Sequence, residues 1–311
     1  MPKLGLVFSG GGGKGAYQIG VWRAMEQLGI AKEVGIVSGT SVGALNAALF
    51  ALGDLTCAEG IWKSLSPKQI LFAQTQDAKT YAKKLLLPKN WAHLALPAAT
   101  LSVVTLPAMV LSAPAALPVI GAYPFPLLFR LGPSFLPNLV SRLTAGIITN
   151  EGLGHMIDRA VDFACLSTSP VRCCATCCRL APGFPLDRIF LGEHDASYDR
   201  SVLLASSAIP LVFPIVQVDK YFYCDGGTPK IGDNIPVAPA YDAGCREMIV
   251  VHLANEPPTP QEQFPGAKLI DIFPSQSLGG TGGTFDFTSE GANTRLLLGY
   301  EDGLAVLKKH Y

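Results

Sequence analysis

Charge is what this chain has least of. Asp, Glu, Lys and Arg make up 15% of its 311 residues, against about 25% in an ordinary soluble domain. The 24 basic and 24 acidic residues cancel. No basic field therefore points to nucleic acid as a partner. The opening MPKLGLVFSGGGG has too short an apolar run for the core of an export signal. Without such a signal, eight cysteines argue for reduced thiols and a cytoplasmic protein. Zinc would need a second ligand pair, because Cys174 and Cys177 form the one CxxC and a structural site takes four ligands. The run from Pro170 to Cys178 reads instead as a buried central strand, with small apolar side chains facing both ways. No metal or cofactor is expected.

What the chain does have is apolar residues, at 49%, enough to build a large core. Leu4 to Phe8 reads as a buried strand, followed by the glycine loop Ser9 to Gly15 and a helix from Ala16 to Leu28. Val34 to Val37 is a second strand. It runs into Gly39-Thr40-Ser41-Val42-Gly43, and Val42 to Leu52 has the pattern of a helix ended by Gly53. GxSxG between a strand and a helix is the signature of a nucleophile elbow, a sharp turn that exposes one serine hydroxyl over the end of a sheet. Strands alternating with helices argue for a parallel sheet with right-handed crossovers. Both loops then fall at the carboxyl ends of neighbouring strands, where such sheets place their sites.

The glycine loop admits more than one reading. Gly10-x-Gly12-x-x-Gly15 formally matches a dinucleotide fingerprint. That fingerprint also wants an acidic residue about 20 positions on, and Ser38 to Ser41 stand there instead. No GK[ST] closes a Walker loop. Consecutive glycines at a helix start do expose several N–H groups, which suits an oxyanion cradle. Nucleotide binding through this loop stays open as an alternative.

Further along, Asp54 is expected to cap a helix from Leu55 to Leu65, and Asp77 to Leu87 to form another. Residues 88–146 read as a Pro-rich apolar insertion in a single domain spanning 1–311. Its central part, Leu94 to Phe129, lacks charge entirely. Length and hydropathy suggest a membrane span, but six prolines interrupt it. A buried cap, a cap that docks on lipid and a membrane hairpin all remain open. Beyond it, Asn150 is expected to cap a helix to Ala164. Arg188 to Leu191 is a strand, and Asp199 to Ser207 a helix. Val216 to Val218 and Tyr221 to Cys224 form a hairpin leading into Asp225. Met248 to Leu253 is the last clear strand. Thr288 to Lys309 is a long helix with Leu296, Leu297, Leu304 and Leu307 inward.

Three motifs in one order carry a resemblance. Ser9 to Gly15, then Gly39 to Gly43, then Asp225-Gly226-Gly227 resemble the patatin-like phospholipase family, whose pattern is G-G-G-x-[RK]-G, G-x-S-x-G and D-G-[GA]. Ala205 to Pro214 and Asn234 to Val237 resemble the segments flanking the family's aspartate. The likeness covers roughly 2–62 and 150–307. It implies a three-layer α/β sandwich around a mostly parallel sheet, with an apolar helical cap insertion. It implies a serine lipid acyl hydrolase of the phospholipase A or lysophospholipase type, acting through a Ser41–Asp225 dyad without histidine. Gly10, Gly11 and Gly12 would supply the oxyanion hole, supported by Gly13, Lys14, Gly15, Gly39, Gly43, Gly226 and Gly227. Lys14 would order the loop or touch an anionic head group. The partners implied are a phospholipid or other lipid ester and a membrane surface met through 94–129. An alternative is an esterase triad of Ser41, Asp225 and His252, in the chain order of α/β-hydrolases. His93, His155, His194 and His310 have no partner pattern.

Overall fold

The computed structural model describes residues 4–71, 148–210 and 212–311. The expected helix at 77–87 and the apolar insertion at 88–146 lie outside them. Among the described residues eight strands form one sheet in the order β5-β6-β3-β2-β1-β7-β8, with β4 also paired to β3. The strands are β1 Leu4–Phe8, β2 Val34–Thr40, β3 Arg172–Arg179, β4 Leu186–Leu191, β5 Val216–Val218, β6 Tyr221–Asp225, β7 Glu247–Val251 and β8 Lys268–Ile272. The central run β3-β2-β1-β7-β8 is parallel, and β4, β5 and β6 make the antiparallel part.

Alternation along the strands makes the layers. Leu6, Phe8, Val37, Ile249 and Val251 point into one large core, and Val7, Ile36, Met248 and Val250 into a smaller one on the opposite face. A parallel strand buried on both faces must be apolar, as β1 is throughout and β7 is from Met248 to Val251. The large core is covered by α1 Ala16–Gln27, α2 Val42–Leu52, α3 Leu55–Ser64, α5 Glu151–Ala160, α7 Ala196–Ser206 and α10 Ser289–Leu307. The one-turn α4 Pro67–Ile70 and the short α6 Phe163–Ser167 lie at its margin, and α9 Gly280–Thr284 adjoins the glycine loop. On the other face sits α8 Ala238–Asp242. The mostly parallel sheet between helical layers is the expected architecture.

Cys173, Cys174, Cys177 and Cys178 lie buried in β3, as a central strand requires. Asp54 caps α3 by accepting from the Cys57 N–H at 2.8 Å. Several local expectations change. Asn150 precedes α5 but makes no side-chain cap. The helix also ends at Ala160, and Phe163–Ser167 is a separate turn of helix capped by Asp162. In α10, Leu296 and Leu307 are buried, while Leu297 is 57% exposed. Adjacent residues on a helix lie about 100° apart, so both cannot face one core. β8 was not expected at all. Among the described residues no helix is long and apolar enough to cross a membrane.

Candidate active site

Register brings the pieces together. Phe8 at the end of β1 is level with Gly39 of β2, and Thr40 of β2 is level with Thr176 of β3. One step further along β3, Cys177 is level with Asp225 at the end of β6. The glycine loop, Ser41 and Asp225 therefore meet at the carboxyl edge of β1, β2 and β3.

Ser41 stands between β2 and α2 with φ 57° and ψ −127°. A non-glycine residue holds such a conformation only where its surroundings over-determine it. Two features fix it. A Cβ on Gly39 would sit 2.1 Å from the Gly43 carbonyl oxygen, and one on Gly43 would sit 2.3 Å from that of Phe8. The turn is thus closed to any larger residue at either position. The Ser41 N–H also donates to the Ser206 hydroxyl (2.9 Å), which in turn donates to the Thr176 carbonyl (2.8 Å). The serine lies at the start of α2, where the helix dipole favours negative charge.

Asp225 is 5% exposed, and Ser41 6%. Burial pushes the Asp225 carboxyl up to about 6, and a hydrogen-bonding interaction with the Ser41 side chain and the Gly227 amide partly offset this. The Gly227 N–H donates to Oδ1 at 2.6 Å. The Gly226 carbonyl accepts from the Asp233 N–H at 2.7 Å, which folds the chain back after the strand. A desolvated carboxyl titrating near 6 can accept a proton at neutral pH far better than a free one.

The glycine loop differs from the expected cradle in one donor. The Gly10 N–H is committed to the Asn234 carbonyl at 3.1 Å, so it is not available to a ligand. Gly11 and Gly12 N–H have no hydrogen-bond partner among the described residues. Gly12 has φ 58°, and a Cβ there would lie 2.2 Å from the Thr284 carbonyl oxygen. Buttresses from behind hold the loop. Arg295 donates to the Gly13 carbonyl at 3.2 Å and pairs with Asp286 at 2.7 Å. Asn46 of α2 donates to the Gly15 carbonyl (2.9 Å) and to Gln18 Oε1 (2.8 Å), while accepting from Trp62 Nε1 (3.0 Å). Gln18 closes the network on the Ser9 carbonyl at 2.7 Å. Lys14 lies outside it, beside Leu253, Ser275 and Ser277. Burial and then the charge of Arg295 lower its ammonium, partly countered by Glu256.

His252 is elsewhere. Its Nδ1 is 3.1 Å from Glu256 Oε1 and its Nε2 is 2.7 Å from Asp271 Oδ1, with the ring stacked on Phe273. Burial alone would lower it, but the bonds to Asp271 and Glu256 outweigh this and raise it. Both nitrogens are engaged at the β7–β8 edge, so the triad of Ser41, Asp225 and His252 is not assembled. His155 and His194 lie away from the serine.

An apolar groove of about 450 Å³, counting its open mouth, begins at Ser41 and Gly12. Val42, Leu45, Leu153, Ile209, Phe213 and Phe287 line it. Ser206, Asn46, Gln18, Trp62 and Arg295 were not singled out from sequence. Ser206 falls in the segment Ala205 to Pro214, which resembles the family's. The other four are polar or amphipathic residues on helices, with nothing local to distinguish them from surface positions.

The fold and the serine–aspartate edge define a class of α/β protein with its chemistry at the ends of parallel strands. The model of the patatin-like phospholipases matches residues 6–241, so the chain belongs to the patatin-like phospholipase family. Curated relatives include lysophospholipases of the fungi Aspergillus terreus and Chaetomium globosum, 50% and 52% identical over 48 residues. Those matches span 15% of this chain and 3% of the fungal proteins. Among solved structures, VipD from Legionella pneumophila shares the fold, with a TM-score of 0.52 at 16% identity over 100% of this chain and 67% of that one.

Proposed function

We propose that the chain is a serine acyl hydrolase of lipid esters, with Ser41 as nucleophile and Asp225 as its base. One observation carries this reading: a buried carboxyl, held near pKa 6, beside a serine in a strained strand-to-helix turn. The Ser41 oxygen attacks the ester carbonyl carbon, and its proton passes to Asp225. The carbonyl oxygen becomes an oxyanion facing the Gly11 and Gly12 amides. Losing one such donor costs about 3 kcal/mol of barrier. Collapse of the tetrahedral species expels the alcohol, which takes the proton from Asp225, and leaves an acyl-enzyme. Water, activated by the same carboxylate, then releases the fatty acid.

The apolar groove supports a hydrocarbon chain as the acyl part, and the fungal relatives' names support a lysophospholipid as substrate. The chain leaves the described fold at Leu71, beside the groove residue Ile70. It returns at Ile148, whose N–H donates to the Val212 carbonyl next to the groove residue Phe213. The absence of charge from 94–129 in the sequence supports membrane contact through that stretch. Labelling by a fluorophosphonate probe tests the reading. Label on the wild type, lost in both Ser41→Ala and Asp225→Ala, is expected. An unlabelled wild type refutes the nucleophile.

A further inference from the structure

A second cavity lies behind the groove at Ser41, and the two share a wall. The first ends on Ile70 of α4 and Met156 of α5. The same two side chains, with Ile61 of α3 and Leu65 just after it, line the second. Ile70 is 1% exposed and Met156 7%, so both are packed between the cavities rather than turned to solvent. The second cavity is rimmed by Gln69, His155 and Arg159, all three exposed. The line from Ser41 through the apolar groove is thus closed by Ile70 and Met156, and a path into the second cavity with its polar rim opens when one of them moves.

We infer that this path is the acyl-chain site, and that Met156 and Ile70 set the length of chain the enzyme accepts. The inference rests on Ser41 being the nucleophile. The acyl carbon is the one substrate atom bonded to Ser41, so its chain must leave along whatever surface adjoins that oxygen. The adjoining surface is almost wholly apolar, which excludes a charged head group from it and suits methylenes. A short chain fits within the first groove. A longer one meets the Ile70–Met156 wall. Met is unbranched and turns about three bonds, so it can swing aside and let the chain through. Ile is β-branched and stiff, and forms the fixed side of the passage. The polar rim halts the chain at the far end, because a methyl group gains nothing by passing Arg159 into water.

The test is kcat/KM for p-nitrophenyl esters from butanoyl to hexadecanoyl. Each methylene taken into the channel is expected to raise kcat/KM by about fourfold, up to the length at which the channel is full. Met156→Trp closes the passage and moves that limit to esters shorter by about two or more methylenes, taking each methylene's about fourfold gain as the measure. Met156→Ala opens the passage and flattens the step at the wall, so that longer esters gain relative to short ones. Shifts in opposite directions cannot come from partial unfolding, which lowers the whole series together. Ile61→Trp, which fills only the far chamber, moves the limit in the same direction as Met156→Trp and serves if that variant does not fold. If all three keep the wild-type limit while Ser41 is still labelled by fluorophosphonate, the channel is refuted and the nucleophile stands. If wild type is neither labelled nor active on any ester, the nucleophile itself has failed, and the channel with it.

Discussion

Replacing Asp225 by Asn separates catalysis from stability. A carboxyl that titrates at about 6 in the fold and at about 3.9 in the unfolded chain holds its proton more tightly when folded. Between those two values the native state binds more protons than the unfolded state. Stability therefore falls as pH rises through that window, and the loss is complete above the folded value. At 1.36 kcal/mol for each pH unit, burying this carboxylate in its charged form costs the wild type about 3 kcal/mol at neutral pH. Asn cannot ionise, and its carbonyl can still accept from the Gly227 N–H. The stability of Asp225→Asn relative to wild type should thus rise by about 2 kcal/mol between pH 4 and pH 7.5. All other titrating groups cancel in that difference. Urea unfolding at a series of pH values measures it. Activity should move the other way, with kcat lower by about 10² to 10⁴, as when a general base is lost. A stability difference flat to within about 1 kcal/mol across this range would refute the desolvated-base argument.

Wild-type kcat/KM should rise about tenfold per pH unit below about 6 and level above it, since the base must be deprotonated; a profile still rising at pH 8 would point to another group. Ser206→Ala leaves the Ser41 N–H buried without its partner, with a stability loss of about 1–3 kcal/mol in thermal melts; it should also lower kcat more than it changes KM. Gly12→Ala brings a Cβ to 2.2 Å from the Thr284 oxygen at a positive φ, so ester turnover should fall by about 10² or more, the effect of losing an oxyanion donor. With Cys57 and Cys165 exposed and the other six cysteines buried, titration with a thiol reagent should find two reactive thiols in the native protein and eight in denaturant.

The parts that sequence made legible are those in which chemistry dictates local residue type. A strained serine turn needs glycine on both sides, so Gly39 and Gly43 announce it. Cys173 to Cys178 read as a strand because a doubly buried strand admits no other pattern. Legibility ended where partners are distant in sequence. The commitment of the Gly10 amide to Asn234 follows from a loop that returns 224 positions later, and no spacing within Ser9 to Gly15 encodes it. His252 looked like a base by chain order, yet its two nitrogens are claimed by Glu256 and Asp271, and Asp271 lies in the strand that went unrecognised. β8 carries Lys268 and Asp271 among its five residues. It lacks the continuous apolar run that marks the inner strands. Asn46, Gln18 and Trp62 bond to one another inside the core, and nothing along a helix distinguishes such residues from solvated ones.

The crossover between β2 and β3 carries the long apolar stretch, yet β2 and β3 keep a regular parallel register from Ile36 to Thr40. The two ends of that stretch, at Leu71 and Ile148, are anchored independently, by α4 packing on α5 and by the backbone bond to Val212. Closing a loop costs free energy only as the logarithm of its length, about 0.6 kcal/mol for each doubling. Segments of very different size can therefore be exchanged at this position with little change in how well the reacting groups are held. Ser41 lies before the exchange point and Asp225 after it, and sheet pairing rather than the intervening chain sets their distance. The intervening stretch can then change in length and composition while the geometry at the strand ends is kept.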